Sequence, residues 1–249
     1  MARKEQGGHQ KSASRVEDVA ATIGRWIAEG RYPAASTLPT ESEIADSLGV
    51  GRNAVREAVK MLSGKGLLRT ERRAGTIVQP QSEWNMLDSD LLTWSLDNQE
   101  TREKLVDELM ELRRIIEPEV AALAAERASI VEVLRLWEAY EQMETYRMDP
   151  VRSIDADVLF HQRLFEAAGS RLLLSVYQSI SLLLRVNFAL GNHMGGAYIN
   201  NLEPHKVVSD AVQRHDADAA RAAMQGLLSK NRKDVERTRD LTREEGQQA

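Results

Sequence analysis

Residues 40–63 constrain the fold of this chain more than any other stretch. Thr40-Glu41-Ser42-Glu43 is a capping box: the Thr40 hydroxyl can cap a helix, and Glu43, three residues on, can reach back to the start. Ile44, Ala45 and Leu48 follow as the apolar stripe of a short helix. Gly49-Val50-Gly51 makes a turn, and Arg52–Ser63 reads as a further helix with Ala54, Val55, Ala58, Val59 and Leu62 on its inner face. Upstream, Val16, Val19, Ala20, Ile23 and Ile27 recur at helical spacing and Gly30 ends the run. Downstream, Leu67–Thr70 and Thr76–Val78 read as two short strands, with Arg72, Arg73, Ala74 and Gly75 in the turn between them. Helix, helix, turn, helix, hairpin is the order of a winged helix-turn-helix, here spanning 15–80.

Beyond Val78 no strand pattern recurs. Residues 81–98 read as a linker in which Trp84, Leu87, Leu91 and Trp94 can pack between domains. Residues 99–238 are helical by pattern, an antiparallel all-helical bundle. Leu105, Leu109, Leu112, Ile115 and Ile116 share one face, and Pro118 predicts a kink or a fresh start. Further helices are predicted over Val131–Tyr146, Ser153–Ala168 and Arg171–Leu190, with a last long one from Pro204 to about Thr238. The polar, basic residues 1–14 lack the apolar stretch of a secretory signal and read as a disordered arm. Residues 239–249 read as a disordered tail. The fold class is mainly α.

Charge separates the same two parts. Residues 1–80 hold 13 Lys and Arg against 9 Asp and Glu, and the remainder holds 20 against 29. A basic head on an acidic body suits a two-domain DNA binder, although the whole chain carries −5. There is no cysteine, which excludes disulfides, thiolate metal sites and a cysteine nucleophile and suits a reducing cytoplasm. No apolar run reaches the length of a membrane span.

A helix-turn-helix lays its second helix in the major groove with its N-terminal residues at base edges. Arg52, Asn53 and Arg56 occupy that end. Arginine pairs bidentately with guanine and asparagine with adenine, though the same residue types also populate solvated helix faces. Arg72 and Arg73 at the hairpin tip, beside a glycine that permits close backbone approach, complete a DNA-facing set with Gly75. One recognition helix per chain predicts a homodimer on an inverted-repeat operator of double-stranded DNA.

Leu38-Pro39-Thr40-Glu41-Ser42-Glu43-Ile44-Ala45, Leu48-Gly49-Val50 and Arg52-Asn53-Ala54-Val55-Arg56-Glu57-Ala58 resemble the head of the GntR regulators. The resemblance implies base contacts by Arg52 and Arg56 and a wing contact around Gly75. Ser42 stands where many members have arginine, and Gly51 where many have serine or threonine. Gly51 can still serve as an N-cap but brings no hydroxyl.

In the second part, Asp157 and His161 are four apart on a predicted helix and point the same way, as metal ligands or as a surface hydrogen-bonded pair. Glu111-Leu112-Arg113, Glu117-Pro118 and Ala121–Arg127 resemble the opening of the FCD effector domain of FadR-type GntR proteins. Asp157-Val158-Leu159-Phe160-His161 matches its Asp-x-x-x-His motif, and His205 matches its next ligand. The resemblance therefore implies a divalent ion on Asp157, His161 and His205, zinc in the first place with nickel and manganese as alternatives. Leu227 falls where a further histidine is usual, and His193 and His215 are bystanders. Arg113 either pairs with Glu117 on the helix surface or faces inward to clamp a carboxylate. The resemblance places it at the metal pocket, with Asn201 as a second polar candidate. The Ser82–Trp94 segment resembles the galactonate-utilisation repressors of the family, which implies a sugar acid as effector. The expected function is a cytoplasmic ligand-controlled transcription repressor. A metal-dependent enzyme on the same three ligands and a constitutive architectural DNA binder are the alternatives.

Overall fold

The computed structural model describes residues 6–192 and 197–247, with side chains over 15–187, 202–237 and 239–240. The chain divides into two compact units, Met1–Arg102 and Glu103–Ala249.

The first unit is built on α1 (Gln6–Ala28), α2 (Glu41–Leu48) and α3 (Arg52–Gly64). Val19, Ala20, Ile23 and Ile27 of α1 meet Ile44 and Ala45 of α2 and Val55, Ala58, Val59 and Leu62 of α3 in one apolar core. Thr40 caps α2 reciprocally: Glu43 N–H donates to Thr40 Oγ1 at 3.3 Å, and Thr40 N–H donates to Glu43 Oε2 at 2.8 Å. Gly49, at φ 64°, turns the chain out of α2 through the left-handed region. Gly51 is the N-cap of α3 and makes no side-chain cap.

Strands β1 (Leu68–Glu71) and β2 (Gly75–Val78) pair antiparallel, Leu68 opposite Val78 and Glu71 opposite Gly75. Residues 72–74 form the turn of this wing. Helix α1 starts at Gln6, inside the stretch expected to be a disordered arm; no proline interrupts residues 6–15, so the helical register of Val16–Ile27 runs back through them.

Residues 81–98 do not behave as a spacer. Helix α4 (Ser89–Ser95) is capped by Asp88, and its Leu91 and Trp94 are buried in the first unit's own core, while Leu87 is exposed. Lys65 Nζ donates to Asp88 Oδ2 at 2.7 Å and Asp90 Oδ2 at 2.9 Å. Trp84 Nε1 donates to the Gln79 carbonyl at 3.0 Å. Apolar area that cannot stay in water finds the nearest core, which here lies in the head.

The second unit holds α5 (Gln99–Arg127, crossing the boundary), α6 (Ile130–Thr145), α7 (Pro150–Ala167), α8 (Arg171–Asn192), α9 (Ala197–Gln213) and α10 (Ala217–Gln247). They form a helical bundle without a strand among the described residues. Two prolines lie inside helices: Pro118, expected at a kink or a fresh start, in α5, and Pro204, expected to open a helix, in α9. Each ring removes a backbone N–H. At Pro118 the flanking Glu117, Val120 and Ala121 are all buried, and bundle packing holds the turn. The single long helix predicted from Pro204 is two. His215, at φ 54°, breaks it, and Asp216 Oδ1 accepts from Ala219 N–H at 3.0 Å to start α10. His215 Nδ1 lies 2.7 Å from the Ala125 carbonyl and fastens that corner to α5. Helix α10 continues to Gln247, through the expected tail.

Candidate functional site

Two sites lie on the two units. On the first, Arg52, Asn53 and Arg56 are exposed at the start of α3, whose opposite face is buried. Arg56 Nε donates to Glu41 Oε2 at 3.1 Å, which ties the recognition end of α3 to the first turn of α2. Arg72 and Arg73 are exposed at the wing tip. Gly75, at φ 86°, adopts a backbone that favours glycine, and a Cβ there would stand 3.3 Å from Thr37 Cγ2. Four arginines and an asparagine on one helix end and one hairpin tip can meet phosphates and base edges.

On the second, α5, α7 and α9 bury five ionisable side chains together. Arg113 and Glu117 come from α5, Asp157 and His161 from α7, His205 from α9, each no more than 2% exposed. The two α5 residues are four apart, as are the two on α7, so each helix presents one pair inward. Arg113 Nε donates to Glu117 Oε1 at 2.6 Å. The other Glu117 oxygen lies 2.9 Å from His161 Nδ1. Asp157 Oδ1 lies 3.3 Å from His161 Nε2 and 3.4 Å from His205 Nε2. The two readings of Arg113 are therefore not exclusive: it pairs with Glu117 and it faces inward.

Burial works against the charged Glu117 carboxyl, but Arg113 and His161 outweigh it and bring it down to about 2. Burial likewise opposes the charge on Asp157, and the two histidines hold it well below the usual carboxylate range. For His161, burial would lower the value; the Glu117 carboxylate, helped by Asp157, raises it on balance.

Asp157, His161 and His205 offer one ligand atom each, all within 4.8 Å of one another. A carboxylate with two imidazoles suits zinc, nickel or manganese. Glu117 beside His161 Nδ1 is the outer partner that would leave Nε2 for a metal, although that nitrogen also lies 3.1 Å from Arg113 Nη2. The residues fit a divalent ion. With neutral imidazoles the five side chains carry one negative charge in excess, which a bound divalent cation would turn into one positive charge. Leu227, buried on α10, brings no fourth ligand. Asn201 and His193 lie outside the residues whose side chains are described.

Residue patterns did not point to three further buried polar groups of this unit. Glu117 was visible only as a partner of Arg113, not of His161. Asn187 of α8 and Asn231 of α10 are buried and bonded to each other, Asn187 Nδ2 donating to Asn231 Oδ1 at 3.2 Å. Their one signal was a polar residue at an inward position of an otherwise apolar helix face.

Residues 15–78 match the family described as "Bacterial regulatory proteins, gntR family", and residues 108–230 match the FCD domain. The chain is 30% identical over 224 residues to the galactonate operon transcriptional repressor of Escherichia coli, covering 88% of this chain and 96% of that protein. It is 30% identical to the Uxu operon transcriptional regulator of Escherichia coli over 216 residues, 84% of this chain and 81% of the relative. Among solved structures it resembles a Streptococcus agalactiae GntR protein, at 28% identity and a TM-score of 0.51, over 88% of this chain and 99% of that one.

Proposed function

The chain belongs to the GntR family of bacterial transcription regulators, with an FCD domain behind its DNA-binding head, and on that premise we propose that it is a repressor controlled by a small hydroxylated carboxylate. A sugar acid such as galactonate binds in the second unit, its carboxylate taken by Arg113 and by a divalent ion on Asp157, His161 and His205. Two copies bind an inverted-repeat operator, with Arg52, Asn53 and Arg56 at base edges and Arg72, Arg73 and Gly75 at the adjacent backbone.

The observation that carries the reading is the buried cluster with its balance of charge. Enclosing a carboxylate is costly unless it is paired and hydrogen-bonded. A cation-loaded cluster with one positive charge in excess, beside a guanidinium fork, is matched to a monoanion. The relative that acts on a galactonate operon supports the sugar-acid class. A metal-dependent enzyme on the same three ligands is not retained, because family and relatives are transcription regulators.

The test is operator binding by fluorescence anisotropy, with DNA from upstream of the protein's own gene, titrated with D-galactonate in the presence of zinc or manganese and again after chelation. A typical coupling changes operator affinity by roughly 5–150-fold. An operator affinity untouched by any aldonate, with or without metal, would refute the reading.

A further inference from the structure

A cavity of about 740 Å³ lies between α5 and α10, within the size range of small-molecule sites. Arg113 lines it and also borders His161, so the cavity and the metal cluster share one side chain. Asn231 lines it from α10. Five of the lining side chains are basic and three acidic. Three of the basic ones are engaged, Arg232 by Glu236, Arg239 by Asp107 and Arg113 by Glu117, which leaves Arg114 and Lys233 against Glu111, a balance that still favours an anion.

The asparagine pair is hard to explain as packing. Asn187 is fully buried in an apolar stretch of α8, next to Leu183 and Leu184, which are buried as well. Its Oδ1 meets no donor among the described residues. Rotating both amides by half a turn exchanges donor and acceptor but still leaves one Asn187 atom unmet among the described residues. A leucine would fill such a position with no unmet polar atom of its own, at the loss of the donor to Asn231 Oδ1, which borders the cavity and can turn to water there. What Asn187 does accomplish is to occupy the Asn231 carbonyl, which leaves the Asn231 amide N–H groups for the cavity. Asn231 sits one turn beyond Leu227, on the same face of α10.

We propose that Asn231, oriented by Asn187, donates to a hydroxyl oxygen of the ligand whose carboxylate Arg113 takes, so that the pair selects hydroxylated acids over plain ones; this rests on the carboxylate reading above. Arg113 supplies affinity for any carboxylate. Asn231 supplies discrimination, because a donor fixed on one wall is satisfied only by an acceptor at the right place. Asn187 is a positioning residue and touches no ligand.

Calorimetric titration of the full-length protein with D-galactonate, hexanoate and galactitol tests this. Asn231→Ala is expected to bind galactonate about tenfold more weakly and hexanoate as the wild type does. Asn187→Leu is expected to lose most of the same discrimination while melting no lower than the wild type, which a merely structural role would not produce. Wild-type preference for galactonate over hexanoate retained in both variants overturns the proposal and leaves the carboxylate reading intact. Galactitol bound as tightly as galactonate, with loss in Asn231→Ala and none in Arg113→Ala, overturns the carboxylate reading alone. A wild type that binds none of the three overturns both.

Discussion

Arg113 Nη2 lies 3.1 Å from His161 Nε2, the ring nitrogen that also faces Asp157. A guanidinium thus stands where a cation on the three ligands would be felt most strongly. The two cations repel at short range, and Glu117 holds the guanidinium there through Nε. Arg113→Met should therefore tighten zinc binding by about tenfold or more, since a like charge at roughly 4 Å is worth a few kcal/mol even at an effective dielectric constant near 20. His161→Ala should abolish it. Competition with a chromophoric chelator measures both, and equal zinc affinity in wild type and Arg113→Met would show that the guanidinium does not border the ion.

The same cluster sets a pH window for the metal-free protein. Glu117 falls from an ordinary 4.5 to about 2 in the folded state, so its contribution is present above 4.5 and is lost as pH falls towards 2. Asp157 is depressed too and acts in the same direction. His161 is raised, so its contribution is complete below its unfolded value and is lost as pH rises through its folded one. Denaturant unfolding with chelator present should give falling stability below about pH 4.5. Glu117→Gln should flatten that fall; an unchanged acid limb would mean that the pair does not persist in solution.

The head was legible in the sequence because local rules decide it. The capping box at Thr40, the glycine turn and the stripe Val55, Ala58, Val59, Leu62 each act within a few residues, and each element forms where those rules put it. Asp157 and His161 were legible for the same reason, being one helical turn apart. Glu117 against His161, and Asn187 against Asn231, are meetings of residues 44 positions apart, and no local pattern encodes them. Pro204 opens no helix and Pro118 makes no fresh start, because tertiary packing overrode a local helix-breaking preference.

Gly24 and Trp94 make a second long-range relationship that the periodicity of α1 conceals. A Cβ on Gly24 would stand 2.2 Å from Trp94 Cε3, so the helix gives up a side chain to admit the indole. Gly24→Ala gains about 1 kcal/mol of helix propensity and should nevertheless destabilise the first unit, because overpacking costs roughly 1–3 kcal/mol. Trp94→Ala should cost about 3–5 kcal/mol. In the double variant the Gly24→Ala penalty should vanish, and urea unfolding reads the cycle. Additive penalties would mean that α4 does not pack on α1 in solution.

The last relationship concerns the recognition helix. Arg56 pairs with Glu41 at 3.1 Å, and both side chains keep substantial exposure, 57% and 33%. An exposed pair of this kind is worth at most about 1 kcal/mol, so it can open when a better partner arrives. A guanine edge is such a partner, because it accepts two hydrogen bonds from one guanidinium. Arg56→Ala should then cost about 1–3 kcal/mol of operator affinity and relax preference at one base pair of each half-site. Arg73→Ala, at the wing, should weaken binding to all sequences alike and reduce the salt slope by about one, as the loss of a phosphate contact does. Glu41→Gln frees Arg56 without moving α3, and should leave base preference intact while strengthening binding modestly. Anisotropy titrations of these three variants on the operator and on single-base variants of it, at two salt concentrations, separate the roles. If Arg56→Ala lowers affinity uniformly and Arg73→Ala changes base preference, the assignments of helix to base edge and wing to backbone are reversed.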